Sequence, residues 1–207
     1  MTRAALLAVL ALPATAGAAP APTLEQLARQ LTRAGKQLRT LSAEFVQRKQ
    51  MKLFRSQVVT RGRLRYQRPD RLRWETLPPD RSVMLVNGRR AELRVPGQRP
   101  RTFDLRRDRT VGLLVEQLLV WFGARPATRL GRTFVVHLSA GQGGRTVARL
   151  TPRPGSPLVE RLARLEVVLD GQMLVERITI VDAAGDTTTI TLRKIIKNAP
   201  LAADTFR

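Results

Sequence analysis

A chain of 207 residues has room for one domain with a substantial core. Its 37 Lys and Arg against 16 Asp and Glu give a formal charge of +21. Such a surplus either favours anionic partners (lipid headgroups, acidic proteins, glycolipid, nucleic acid) or is a solvated, arginine-rich surface. With no cysteine and one histidine, thiol catalysis, cysteine metal centres and disulfides are excluded, and a histidine triad or zinc site lacks its ligands.

The chain opens with Met1-Thr2-Arg3, an apolar run over residues 4–12, Pro13 and small residues to Ala19. A charged start, a short apolar stretch and an Ala-x-Ala pattern make a secretory signal. Cleavage is expected after Ala18, with Ala14-Thr15-Ala16 as the alternative pattern. The run is too short to span a bilayer as an anchor. The expected organisation is a signal over residues 1–18 and a single exported domain over residues 19–207. The absence of cysteine leaves that domain without a lipid-modified tether.

Thr23 followed by Gln26 reads as a capping box. Leu24, Leu27, Ala28, Leu31 and Leu38 continue at helical spacing, so residues 23–38 are an amphipathic helix. Its stripe is either ordinary core or the cover of a sheet opening. Gly35 weakens its last turn.

Residues 41–47 alternate as a strand, and residues 58–66 form the next. In the latter Val58, Gly62, Leu64 and Tyr66 share one parity and Arg61, Arg63, Arg65 and Gln67 the other. Residues two apart lie on one face, so this is a half-buried sheet with guanidinium groups outside. Arg68-Pro69-Asp70 turns the chain, because proline cannot donate to a ladder. Leu72 and Trp74 then oppose Arg71, Arg73 and Glu75. Residues 82–86 end at Asn87-Gly88, a hairpin signal, and residues 90–95 return. These strands make an antiparallel meander, to which residues 99–105 add an edge strand beside Pro100.

Residues 111–122 differ. Val111, Leu114, Val115, Leu118, Leu119 and Phe122 recur at three and four, Trp121 widens the stripe, and only Glu116 and Gln117 are clearly polar. A short helix that is apolar nearly all round must be buried or must close over something apolar. Gly123 and Arg125-Pro126 end it. Residues 133–139, 146–151, 161–169, 173–181 and 187–193 are again strand-like, with turns at Asp170-Gly171 and Gly185-Asp186. The count is about eleven strands and two helices without a repeat, consistent with a curled antiparallel sheet under covering helices.

No catalytic constellation emerges. His137 has the parity opposite to its apolar neighbours, and Asp104, Asp108, Glu160 and Glu166 are read as partners for arginines. Gly141-Gln142-Gly143-Gly144 lies between strands, not before a helix with Lys-Ser/Thr. Few aromatics and an export signal argue against nucleic acid. No enzyme activity, metal or cofactor is expected. A curled sheet with an apolar helix over it encloses apolar space, so lipid binding follows as a hypothesis.

The ordered segments also resemble a known family. They are Leu41-Ser42-Ala43-Glu44-Phe45-Val46-Gln47, Gly62-x-Leu64 leading to Arg68-Pro69 and Trp74, Pro79, and Val86-Asn87-Gly88. Leu150-Thr151-Pro152-Arg153, Asp182 through Gly185 to Thr188 and Ile190, and the ending Asn198, Leu201, Phe206 follow in order. Together they resemble the LolA-like periplasmic carriers of outer-membrane lipoproteins. The resemblance implies an α+β, mainly β fold: an unclosed antiparallel β-barrel of about eleven strands with a helical lid. It implies a monomer that shuttles the acyl chains of lipoproteins, or a related lipid, between an inner-membrane releasing transporter and an outer-membrane acceptor. Arg68 matches the arginine that locks the lid; without the resemblance it would be one more solvated arginine. The expected lipid-binding residues are Leu64, Tyr66, Leu72, Trp74, Leu85, Leu114, Leu118, Trp121 and Phe122, with Trp74 either core or cavity wall. The sequence ends at Arg207, just after Phe206, without the family's proline-containing extension, which weakens the expectation of specific cargo retention. An envelope sensor or interaction domain of the same fold, binding acidic partners without lipid, is the competing class.

Overall fold

The computed structural model describes residues 22–53 and 56–207, and the expected signal over residues 1–18 lies outside them. Eleven strands form one antiparallel sheet: β1 (Thr40–Gln50), β2 (Gln57–Gln67), β3 (Arg71–Thr76), β4 (Ser82–Asn87), β5 (Arg90–Arg94), β6 (Arg101–Asp104), β7 (Phe134–Ala140), β8 (Thr146–Pro152), β9 (Leu162–Leu169), β10 (Val175–Asp182) and β11 (Thr187–Lys197). The spatial order is β6-β5-β4-β3-β2-β1-β11-β10-β9-β8-β7. The chain meanders outward from β1 to β6, crosses to the far edge, and meanders back from β7 to β11. Only the β1–β11 ladder joins strands distant in sequence. β6 and β7 stay unpaired with each other, so the barrel is unclosed.

The helices are α1 (Leu24–Gln37), α2 (Arg109–Trp121) and the single turn α3 (Leu130–Thr133). α1 starts at Thr23 with both bonds of the capping box: Gln26 N–H donates to Thr23 Oγ1 at 3.2 Å, and Thr23 N–H to Gln26 Oε1 at 2.7 Å. α2 links β6 to β7 and so passes from one sheet edge to the other. It ends in a Schellman motif. Ala124 N–H reaches Leu119 O, Gly123 N–H reaches Val120 O, and Gly123 takes φ +67°.

One apolar cluster occupies the inner face. It joins Leu27 and Leu31 of α1, Phe45, Leu64, Tyr66 and Leu72 of the first meander, Leu119 and Trp121 of α2, and Leu150, Val167 and Ile178 of the second. The parity of β2 holds at Gly62, Leu64 and Tyr66, but Val58 lies near the strand's outer end and is exposed. On the outer face Glu75 is buried, not solvated. Arg65, Arg73 and Arg81 stand 3.7, 3.2 and 3.9 Å from its carboxylate. Residues 200–205 close over this pocket, and Arg73 donates to Thr205 O at 3.4 Å.

Several boundaries move for local reasons. The β4–β5 turn is Gly88-Arg89, because Asn87 still pairs with Arg90 and only Gly88 takes positive φ. β10 begins at Val175: Asp170 Oδ1 accepts from the N–H groups of Gln172 and Leu174, folding residues 171–174 into the turn. β11 runs on to Lys197 through a bulge opposite residues 42–44. Asn198 then takes φ +60°, accepts from Arg39 N–H at 2.8 Å and donates to Gln37 O at 3.0 Å. It pins the end of β11 to the α1–β1 corner.

Gly62 is required by packing. It faces Phe45 across the β1–β2 ladder, and a Cβ there would run into the Phe45 ring and the Glu75 carbonyl. The bare backbone lets Phe45 lie across β2 and meet Trp74 of β3 at 4.4 Å between ring centroids. Gly62→Ala is expected to destabilise the fold by about 1–3 kcal/mol through overpacking. Urea unfolding measures this, and an unchanged midpoint would mean that Phe45 does not cross the strand.

Candidate functional site

Beneath α2 the packing is incomplete. A cavity of about 230 Å³ is lined by Trp74, Leu114, Gln117, Leu118 and Trp121 on one side and by Leu165, Val167, Ile178, Ile180 and Ile190 on the other. The second group forms cross-strand rows: Leu165 faces Ile180, Val167 faces Ile178, and Ile178 faces Ile190. Strand alternation alone puts these side chains on one face. Curvature of the sheet brings Trp74, on β3, across to the same space. Leu114 is 51% exposed, which locates the mouth beside the first half of α2. None of the lining residues is ionisable. Among the described residues no cluster of His, Cys, Asp and Glu is suited to hold a metal.

A second cleft of about 240 Å³ lies at the other end of the helices, with Leu31, Leu38, Phe122, Leu174 and Asn198 in its wall. Trp121 lines both spaces.

Of the residues expected to bind lipid, Trp74, Leu114, Leu118 and Trp121 line the apolar cavity. Leu64, Tyr66, Leu72 and Phe122 are buried in the adjoining core. Tyr66 and Phe122 stack there with centroids 4.8 Å apart. Leu85 is on the wrong face: it pairs with Arg73 and Glu92, whose parity points away from the cavity. Sequence reasoning missed Gln117, Leu165, Val167, Ile178, Ile180 and Ile190. The alternation of apolar residues in β9 and β10 was the available signal for most of them.

Arg68 sits at the β2–β3 corner, and its Nη1 donates to the carbonyls of Gly35 at 3.3 Å and Lys36 at 3.1 Å. These are end-of-helix carbonyls of α1, where a cation is favourable. α1 in turn touches the end of α2, because Gly35 and Gly123 meet backbone to backbone. Arg125, just beyond, pairs with Asp70 of the corner at 3.6 Å. The corner, α1 and the end of α2 are therefore physically linked. Beneath them Tyr66 donates its hydroxyl to Pro69 O at 3.3 Å. Burial pushes the Tyr66 hydroxyl up to about 12; Arg68 pulls it down, Asp70 pushes it up, and Arg125 pulls it down.

A match to the family model described as outer membrane lipoprotein carrier protein LolA runs over residues 36–207. The chain belongs to the LolA family. No curated protein matches it in sequence. Solved structures are similar to this chain at low identity. A DUF1329 family protein from Desulfovibrio piger is 9% identical with a TM-score of 0.50, over 89% of this chain and 97% of that one. A LolA superfamily protein from Nitrosomonas europaea is 10% identical with a TM-score of 0.46, over 87% and 97%. The MucA/MucB complex of Pseudomonas aeruginosa is matched at 14% identity and a TM-score of 0.48, over 89% of this chain and 60% of that one. All eleven strands and α2 lie within the residues matched to the family model.

Tyr66 makes alkaline stability a local probe of the Arg68 corner. In the unfolded chain it ionises near its ordinary value of about 10. Its folded-state value lies near 12, so its contribution is full below pH ~10 and is lost as pH rises towards 12. The loss should approach roughly 2–3 kcal/mol. Unfolding of the natural protein should therefore steepen over that interval relative to Tyr66→Phe; parallel curves would show that the hydroxyl is not held neutral.

Proposed function

We propose that this LolA-family chain is a periplasmic carrier that binds acyl chains of lipoproteins, or a related lipid, under α2 and moves them towards the outer membrane. The observation that supports this most directly is the cavity between α2 and strands β9–β11, whose wall is apolar except for Gln117. Each methylene buried there contributes roughly 0.8 kcal/mol, which is enough to draw in a chain without any polar contact. Catalytic work has no place in such a wall, and the chain is proposed to act without enzyme activity or cofactor. Residues 1–18 direct export, residues 19–207 form the mature monomeric domain, and an inner-membrane releasing transporter and an outer-membrane acceptor are its partners.

A carrier must also let go. Arg68 bonds to α1, and α1 braces the end of α2 through the Gly35–Gly123 contact. These contacts favour the closed, empty form and so oppose loading. Two bonds from an exposed guanidinium to backbone carbonyls are worth on the order of 1 kcal/mol after solvent screening. Arg68→Leu should therefore tighten lipid binding roughly fivefold and slow release to acceptor membranes by a similar factor. Release at the natural rate would remove Arg68 from this role.

A second reading rests on charge. Arg61, Arg63 and Arg71 are exposed on the outer face and form no ion pair among the described residues. An interaction domain could present that face to acidic partners. Native mass spectrometry of the protein purified from its envelope separates the two readings. The carrier reading expects bound lipid or lipoprotein, lost in Leu118→Asp, whose carboxylate would enter the apolar wall. A lipid-free mass, with no uptake of offered acylated peptide, would favour the interaction domain.

A further inference from the structure

Gln117 is out of place in this cavity. It is 7% exposed, and its neighbours in the wall are leucine, isoleucine, valine and tryptophan. Its Oε1 is a buried side-chain atom with no hydrogen-bond partner, and among the described residues no other buried side-chain oxygen or nitrogen is left so. Helical spacing holds it in the wall, with Leu114 one turn before and Trp121 one turn after. A leucine would fill similar space without burying a polar group. A buried acceptor left unmet is costly, and the cost is removed when a donor arrives.

We propose that Gln117 is a specificity-determining residue of the cavity: its side-chain amide hydrogen-bonds a donor group near the head of a bound acyl chain. Alkyl chains alone leave Oε1 unsatisfied, and a plain ester offers only acceptors. A secondary amide or a hydroxyl offers both a donor and an acceptor, so it satisfies the glutamine amide whichever way that group is turned. The site therefore selects amide-linked or hydroxylated chains over plain esters. The inference rests on the carrier reading, since it concerns the same cavity.

The protein carries its own reporter. Its two tryptophans, Trp74 and Trp121, both line the cavity, so intrinsic fluorescence reports occupancy directly. The probes are methyl laurate, N-methyl lauramide and methyl 3-hydroxylaurate, titrated into the full mature protein and into Gln117→Leu. Wild type should bind at least one donor-bearing probe roughly tenfold more tightly than the plain ester. Preference for the lauramide identifies an amide-linked chain as the cargo chemistry, and preference for the 3-hydroxy ester a hydroxylated one. In Gln117→Leu the preference should vanish while methyl laurate binds at least as well as before. Equal wild-type affinities for all three probes would overturn the role of Gln117 and leave the carrier reading standing. Binding of none would overturn the carrier reading itself. The wild-type comparison decides the matter even where the variant folds poorly.

Discussion

The position of the helical cover depends on the contact between Gly35 and Gly123. A Cβ at either residue would collide with the backbone of the other segment. Gly123 has a double duty. Its positive φ ends α2 in the Schellman motif, and its lack of a side chain admits α1. A displacement of α2 must therefore either carry α1 with it or break this contact. Arg68 grips the same turn of α1 from the β2–β3 corner, and Arg125 returns to Asp70 of that corner. Among the described residues these contacts cluster at one end of the cover.

At the other end the cover is loose. α2 has no side-chain cap at its start, and Leu114 faces partly into solvent. The cavity begins there and runs towards Trp121, which also borders the cleft beside α1. Tight packing near the corner and incomplete packing near the mouth are what an element needs if it is to open from one side. Phe45, admitted by the bare backbone of Gly62, packs against Trp74 of its wall.

The outer face follows a different logic. Arginines alternate along β2 and β3, and some are consumed by buried Glu75 beneath residues 200–205. Further carboxylates meet their own partners: Glu166 with Arg149, Glu176 with Arg145, Glu44 with Lys194. Such exposed pairs add little stability. The remaining surplus of arginine lies on the exterior, whereas the wall of the apolar cavity carries no charge.

Local patterns determined much of this protein. The capping box at Thr23, the alternation from Gly62 to Trp74, the apolar helix after residue 110 and the glycine that ends it are all contained in short windows, because helix and strand periods are local properties. Of the residues expected to bind lipid, Trp74, Leu114, Leu118 and Trp121 stand in the cavity wall. Parity within a strand cannot say which apolar side chain lines a space and which fills it: Leu64, Tyr66 and Leu72 are packed core. Nor can it say which face of β4 is inner when Leu85 and Val86 are both apolar; the ladder to β3 decided that. Only the tertiary structure joined β1 to β11, and with that ladder it brought Ile178 and Ile190 opposite Trp74. It alone gave Gly35 its partner and left Gln117 without one, because both depend on atoms far away in the chain.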